Sequence, residues 1–399
     1  MSRIIESANG LFPELSGLRR QIHKNPELGF CETNTAGLVA GKLRELNLEV
    51  AEKVGRTGVV GLLKGNRPGK TVALRADMDA LPIQEQKETE YASCNKGVMH
   101  ACGHDAHTAM LLGAAMLLAS MREQIAGQVK FIFQPCEEEP PGGAIEMIRA
   151  GVLEKPKVDA IFGLHVEPMY PAGFIGYKEG TMMAAVDNFR LDIIGKGGHG
   201  ASPHMGTDAI VTAAEVISAL QTIPSRKINP LEPVVISIGT IEGGRKDNII
   251  ADRVAMSGTV RTLNPGLREQ IPVMMENIIG SVTKAHNATY SLHYEHSYPP
   301  LVNDSGMVEL IREVAREIAG KDRVMPVAAP TMGGEDFAYY TQMVPGAFVN
   351  LGVGFRNREN YSLHHPCFDI DEQALPVGTA LLAGTALKYL ERYNKSETI

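Results

Sequence analysis

The chain has 399 residues, 44% of them hydrophobic and 21% charged, with a formal net charge of -7. That length exceeds the size at which one hydrophobic core usually stops growing, so two domains are expected. The acidic balance, with no run of Lys and Arg, gives no electrostatic footprint for nucleic acid or an anionic membrane, and excludes both as expected partners.

The opening "MSRIIESANGLFPEL" carries acidic residues and no continuous apolar stretch, so it does not read as a signal peptide. Five scattered cysteines, Cys31, Cys94, Cys102, Cys136 and Cys367, are an odd number without an export signal, which favours reduced thiols and a cytoplasmic location. Residues Leu11 to His23 and Thr33 to Leu46 repeat apolar positions at spacings of three and four and read as amphipathic helices. "TVALRADMD" reads as a buried strand ending near Arg75, "QVKFIFQP" as one ending near Gln134, and "VDAIFGLHV" as one ending near His165. Between the first two lies "AMLLGAAMLLASM", too short to span a bilayer and suited to a buried helix begun by Asp105.

From about Asp187 the pattern changes. "NFRLDIIGK" alternates like a half-exposed strand, "DAIVTAAEVISALQTI" is a helix with Asp208 as its N-cap, and "VVISIGTIEGG" and "RVAMSGTVRTL" are strands. A second helix, "REQIPVMMENIIGSVTKAH", and a strand, "ATYSLHYEH", complete a small α+β unit with an antiparallel sheet. After about Pro300 helix and buried strand return, ending on "AFVNLGVG". The expected fold is therefore α/β: a mixed sheet wrapped by helices, formed by residues 1–186 and 298–399, with an inserted α+β domain of four strands and two helices at 187–297.

In an open α/β sheet, ligands collect at the carboxyl ends of the strands. Asp77 and Asp79 follow one such end, Glu137 and Glu138 a second, His165 closes a third, and His364 lies in the loop after "AFVNLGVG". Cys102 and His104, two apart in "VMHACGHDAH", point the same way in an extended segment and can reach one ion. A thiolate with imidazoles and carboxylate suits Zn²⁺ and tolerates Mn²⁺, Co²⁺ or Ni²⁺. Three glutamates in "FQPCEEEPPGGA" can divide two tasks that metal hydrolysis needs, one binding an ion and one taking a proton from water.

Each stretch also has a plainer reading. The histidine-rich turn fits a capped helix start, the glutamates fit a charged loop on a sheet edge, and a lone histidine such as His165 is more often a core residue. Glu335 and Asp336 in "MGGEDFAYY" fit a helix start. In the insert, His199 follows a glycine pair, and Asn248 and Arg261 offer groups that could clamp a carboxylate.

Taken in order, "RRQIHKNPELGF", "LRADMDALPI", "MHACGHDAHTAML", "FQPCEEEPPGGA", "IFGLHV", "GKGGHGASPH", "NIIADRVAMSGTVRT", "GGEDFAYY" and "LHHP" resemble the metallo-amidohydrolase and carboxypeptidase family of aminoacylases, hippurate hydrolases and auxin-conjugate hydrolases, in its Cys-Gly-His-Asp branch. The resemblance covers nearly the whole chain. It implies two divalent metal ions per subunit, held by Cys102, His104, Glu138, His165 and His364 with Cys102 bridging. It further implies Glu137 as general base, Asp79 as support beside the metals, and His199 polarising the scissile carbonyl, in many relatives across a dimer interface. Asn248 and Arg261 match positions that hold a substrate carboxylate. Cys136 departs from the pattern, where relatives often have alanine.

The expected activity is hydrolysis of the amide bond of an N-acyl or N-aroyl amino acid, by a cytoplasmic homodimer or homotetramer. Within hydrolases a dipeptidase, a carboxypeptidase or a deacetylase of the N-acetyl-diaminopimelate type remains open. From other classes, so do a non-catalytic binding relative and a thiol-dependent enzyme using Cys102.

Overall fold

Four parallel strands form the centre of the larger sheet, in the order Ala126–Gln134, Arg67–Asp77, Ala160–Pro171 and Gly346–Gly354. Two antiparallel strands, Gly58–Lys64 and then Glu49–Val54, extend it on one side, and the short strands Ile175–Tyr177 and Val324–Pro326 on the other. The computed structural model describes residues 1–394. The central strands read as apolar runs because both faces are covered: Val72, Leu74, Val129, Phe131, Phe162 and Val349 are all inaccessible to solvent.

The helix His104–Ser120 is buried along nearly its whole length, as its unbroken apolar sequence requires. It begins one residue before the expected Asp105. The strand expected to end near His165 continues to Pro171, since its neighbour Gly346–Gly354 pairs with it as far as Gly354 opposite Pro171. His165 therefore points from within a strand. In register it faces Asn350, two residues beyond the last pairing with the neighbouring strand, Gly163 opposite Arg75.

The chain separates into two compact units, each with its own apolar core. One comprises Met1–Gly180, Val302–Ala329 and Asp336–Ile399; the other comprises Thr181–Leu301 and Pro330–Glu335. The second unit carries a fully antiparallel four-stranded sheet, ordered Val234–Gly243, Arg253–Thr262, Ala185–Ile194 and Thr289–His296. The helices Ala209–Leu220 and Pro265–Ala285 supply the apolar residues Ala213, Val216, Ile271 and Met275 to its core. Asp208 caps the first of them, accepting from the Ile210 and Val211 amides.

The unit edges differ from 187 and 297. Thr331 and Gly333 accept hydrogen bonds from the Ala184 amide and the Thr331 amide donates to Met182, which ties Pro330–Glu335 to this unit through contacts invisible in sequence. Among the described residues, no helix is long and apolar enough to cross a membrane.

Candidate metal centre

The parallel strands deliver their carboxyl-terminal loops to one rim, as the topology dictates. Arg67–Asp77 runs into Asp79, and Ala126–Gln134 runs into Glu137 and Glu138. The start of the buried helix brings Cys102 and His104 to the same place. Between them Gly103 adopts φ +88°, and a β-carbon there would meet Val166 Cγ2 at 2.3 Å, so glycine alone fits the turn.

Two histidines have their tautomers fixed by carbonyl oxygens, which can only accept. His104 Nδ1 donates to the Asp79 carbonyl at 2.9 Å, and His165 Nδ1 donates to the Val166 carbonyl at 2.8 Å. Both rings therefore offer Nε2 as the ligating nitrogen, an orientation typical of metal-binding histidines. His165 Nε2 lies 3.4 Å from Cys102 Sγ. His104 Nε2 is buried with no hydrogen-bond partner, 3.9 Å from Glu138 Oε1, and that oxygen is 3.3 Å from His364 Nε2.

The donor atoms fall into overlapping groups, each within 4.8 Å: Cys102, His104 and His165; Cys102, Glu138 and His364; His104, Glu137 and Glu138. Cys102, His104 and Glu138 each belong to two of them. A thiol, three imidazoles and carboxylates around an orphaned buried nitrogen fit divalent cations, and the structure assembles all five expected ligands and Glu137 in one place.

The electrostatics point the same way. Burial pushes the Cys102 thiol well above its usual range, and the Glu138 and Glu137 carboxylates push it further, so without a cation it stays protonated. That setting does not suit a free thiolate nucleophile, but a bound cation would reverse it. Burial would lower His104, yet the Asp77 carboxylate and the bond to Asp79 carry it up to about 10, so without a cation Nε2 holds a proton that a bound cation would displace. His165, buried beside His107, is pushed down to about 3 and presents a neutral ring.

Around these groups lies a buried support that the sequence reading saw only in part. Asp79 braces two of them at once, with Oδ1 3.2 Å from His104 Nδ1 and Oδ2 accepting from the Glu138 amide at 3.0 Å. His107 donates to Asp77 at 2.6 Å and accepts from the Val166 amide at 2.9 Å, fixing the strand beside His165. Arg75 joins Asp77, Gln134 and Asp336 at 2.6–2.9 Å, entirely out of solvent. Asp336 also accepts from the Ala144 amide at 2.9 Å, so it anchors the turn after the glutamates and does not serve as a helix start; the next helix begins at Ala338.

Asp105 makes no capping bond and instead binds Arg19 and His23, each at 2.7 Å. A charged and a polar residue inside apolar strand runs, Arg75 and Gln134, were the available signal, because buried charges and polar groups need partners.

In the second unit the structure brings His199 and Asn248 together. Gly198–His199 pairs with Ile249–Ile250, and the Gly200 amide donates to the Asn248 carbonyl at 2.8 Å. His199 Nδ1 accepts from the Ala201 amide at 3.0 Å, which leaves Nε2–H as an exposed donor. Arg261 is not with them. It pairs with Val186 near the end where the chain enters the unit, while the His199 ribbon leaves from the opposite end, past Ile194 opposite Arg253. Eight residues of strand separate Arg253 from Arg261, roughly 26 Å at about 3.3 Å per residue.

A fold of this topology with a rim of thiol, imidazole and carboxylate defines a candidate metallohydrolase. The profile described as Peptidase family M20/M25/M40 matches residues 73–388. The chain is 43% identical over 378 residues to Thermostable carboxypeptidase 2 of Saccharolobus solfataricus, covering 93% of this chain and 94% of that protein. It is 39% identical over 384 residues to N-acetyl-L-cysteine deacetylase of Bacillus subtilis, covering 96% of this chain and 90% of the relative. A solved Bacillus subtilis structure, described as a dinuclear metal binding peptidase from the M20 family, superposes with a TM-score of 0.84 at 37% identity, covering 96% and 99% of the two chains. The chain belongs to peptidase family M20/M25/M40 and is a hydrolase of that family.

Proposed function

We propose that this chain is a metal-dependent amidohydrolase that cleaves N-acyl or N-aroyl amino acids into a carboxylic acid and a free amino acid. The observation that carries the reading is the buried, unpartnered His104 Nε2 facing Glu138, with Cys102, His165, His364 and Glu137 around it. Cys102, His104, Glu138, His165 and His364 would hold two divalent cations, Zn²⁺, Mn²⁺, Co²⁺ or Ni²⁺, with Cys102 shared between the His104–His165 and the Glu138–His364 donors. Such cations, when bound, supply Lewis acidity that polarises an amide carbonyl and eases deprotonation of water.

The chain's own residues do the rest. Glu137, buried beside His104 and Glu138, takes a proton from the attacking water and returns it to the departing nitrogen. Asp79 keeps His104 and Glu138 in place throughout. His199 donates Nε2–H to the acyl oxygen as negative charge builds on it. Asn248 and Arg261 bind the substrate's carboxylate.

The last assignment requires two copies. Arg261 lies roughly 26 Å along its strand from Arg253, the end from which the His199 ribbon leaves, so we assign His199 and Arg261 at one small substrate to different protomers of a homodimer. In this reading the first unit forms the catalytic part and the second, which contains residues 187–297, the lid and dimerisation part. Five free cysteines fit the reducing cytoplasm.

The test is a panel of N-benzoylglycine, several N-acetyl amino acids, an indole-acetyl conjugate and dipeptides, assayed before and after chelation and after metal is restored. Loss with EDTA and recovery with Mn²⁺, Zn²⁺ or Co²⁺ on N-acyl substrates is expected. Activity that survives EDTA and dies with iodoacetamide would overturn it. The carboxypeptidase relative is the reason peptides belong in the panel: a clear preference for them would move the assignment to a peptidase.

A further inference from the structure

Cys136, the residue before the two glutamates, has φ +48°, a left-handed conformation that side chains other than glycine rarely adopt. Such a backbone persists only where its surroundings impose it. Here its carbonyl accepts from the Gly143 amide at 2.7 Å, and its amide donates to Glu32 Oε1 at 2.8 Å. Glu32 is inaccessible to solvent and has no cationic partner among the described residues; its other oxygen accepts from Thr57 Oγ1 at 2.5 Å. Glu32 immediately precedes the helix Thr33–Glu45 yet makes no capping bond, so its carboxylate is committed to Cys136 and Thr57.

The segments meeting there are shaped for the contact. Phe30 and Arg56 are also left-handed, at φ +60° and +76°, and the Arg56 guanidinium stacks 4.1 Å from the Phe30 ring. A β-carbon on Gly29 would come within 2.7 Å of Cys136 Sγ, so glycine lets the Glu32 segment close onto the loop. The next two residues after Cys136 are Glu137 and Glu138.

We propose that Glu32, held by Thr57, is a positioning residue that imposes the Cys136 turn and thereby aims Glu137 and Glu138 into the metal centre. The inference rests on the proposed metallohydrolase reading. Glu32 touches neither substrate nor cation; it acts through the backbone of Cys136.

The experiment compares wild type, Glu32→Ala, Glu32→Gln and Thr57→Val by titrating metal-free protein with Zn²⁺ against a chromophoric chelator, and by measuring kcat and KM on the best N-acyl substrate. Loss of such a support is expected to weaken Zn²⁺ binding or kcat by about tenfold to a hundredfold in Glu32→Ala, with KM little changed. Glu32→Gln, whose amide oxygen can still accept from Cys136, should restore both. Leu43→Ala, a buried core change on the same helix, controls for lost stability and should keep both in its folded fraction. If Glu32→Ala does not fold, Thr57→Val should show a smaller loss in the same direction. Unchanged Zn²⁺ affinity and kcat in Glu32→Ala, or in Thr57→Val where the former does not fold, overturn the inference while leaving the metallohydrolase reading intact. A wild type that binds no Zn²⁺ overturns both.

Discussion

Gly103 sits between two proposed ligands, and replacing it tests how tightly the turn is specified. Gly103→Ala has two separable costs. An L-residue in the left-handed region costs about 1–2 kcal/mol, and a β-carbon 2.3 Å from Val166 Cγ2 adds overpacking of about 1–3 kcal/mol. The sum, roughly 2–5 kcal/mol, is a large part of a domain's stability and should lower the melting temperature by roughly 5 °C or more. Gly97 provides the internal reference: its φ is +77° but a β-carbon there meets nothing within 4 Å, so Gly97→Ala carries only the conformational part. Thermal melts of the metal-free variants, followed by Zn²⁺ titration, separate the terms. Val166 must yield, and it neighbours His165, so Gly103→Ala should also bind Zn²⁺ more weakly while Gly97→Ala should not. If Gly103→Ala melts no lower than Gly97→Ala and binds Zn²⁺ equally well, the packing account of this turn is wrong.

Other predictions follow from single contacts. Asp79→Asn cannot serve His104 and Glu138 as a carboxylate does, and Zn²⁺ affinity by competition should fall by about tenfold to a hundredfold. Arg268→Leu leaves Asp187 buried without its guanidinium, costing about 3–5 kcal/mol in a melt of the second unit, with Zn²⁺ affinity unchanged because the two cores are separate. Burial holds His100 near a pKa of about 3, and both its ring nitrogens lack partners. Folded, it stays neutral while the unfolded chain takes up a proton below about pH 6.5. Its contribution is therefore complete above that pH and is lost at about 1.4 kcal/mol per unit as pH falls toward 3. Denaturant titrations of metal-free protein between pH 6.5 and 4 should show a shallower slope for His100→Leu than for wild type; equal slopes would refute the assignment.

Much of the rim was legible because strand ends have a sequence signature. The apolar run before Glu137 stops at Gln134 in both sequence and structure, and two-residue spacing joined Cys102 to His104. What was not legible depends on register and on long-range pairing. The strand holding His165 was read as too short because its continuation is stabilised by residues 346–354, far along the chain. Arg261 and His199 were both read as site residues of the insert, and antiparallel pairing alone reveals that Arg261 sits at the Val186 end of the four-stranded sheet while His199 belongs to a separate two-stranded ribbon. Asp105 read as a helix cap because a short polar side chain at a helix start has that common use. Arg19, eighty-six residues earlier, claims it instead. Glu32 gave no signal, since the partner through which it acts on the loop is a backbone amide, and amides carry no sequence identity.

The central claim is that Glu137 moves the proton in a reaction that the surrounding ligands support but cannot perform alone. Glu137→Gln keeps the size of the side chain and leaves all five proposed ligands in place. Measured as Zn²⁺ stoichiometry by competition and turnover on the best N-acyl amino acid, the variant should bind as much metal as wild type and turn over about a hundredfold more slowly or worse. Near-normal turnover with metal fully bound would contradict the account.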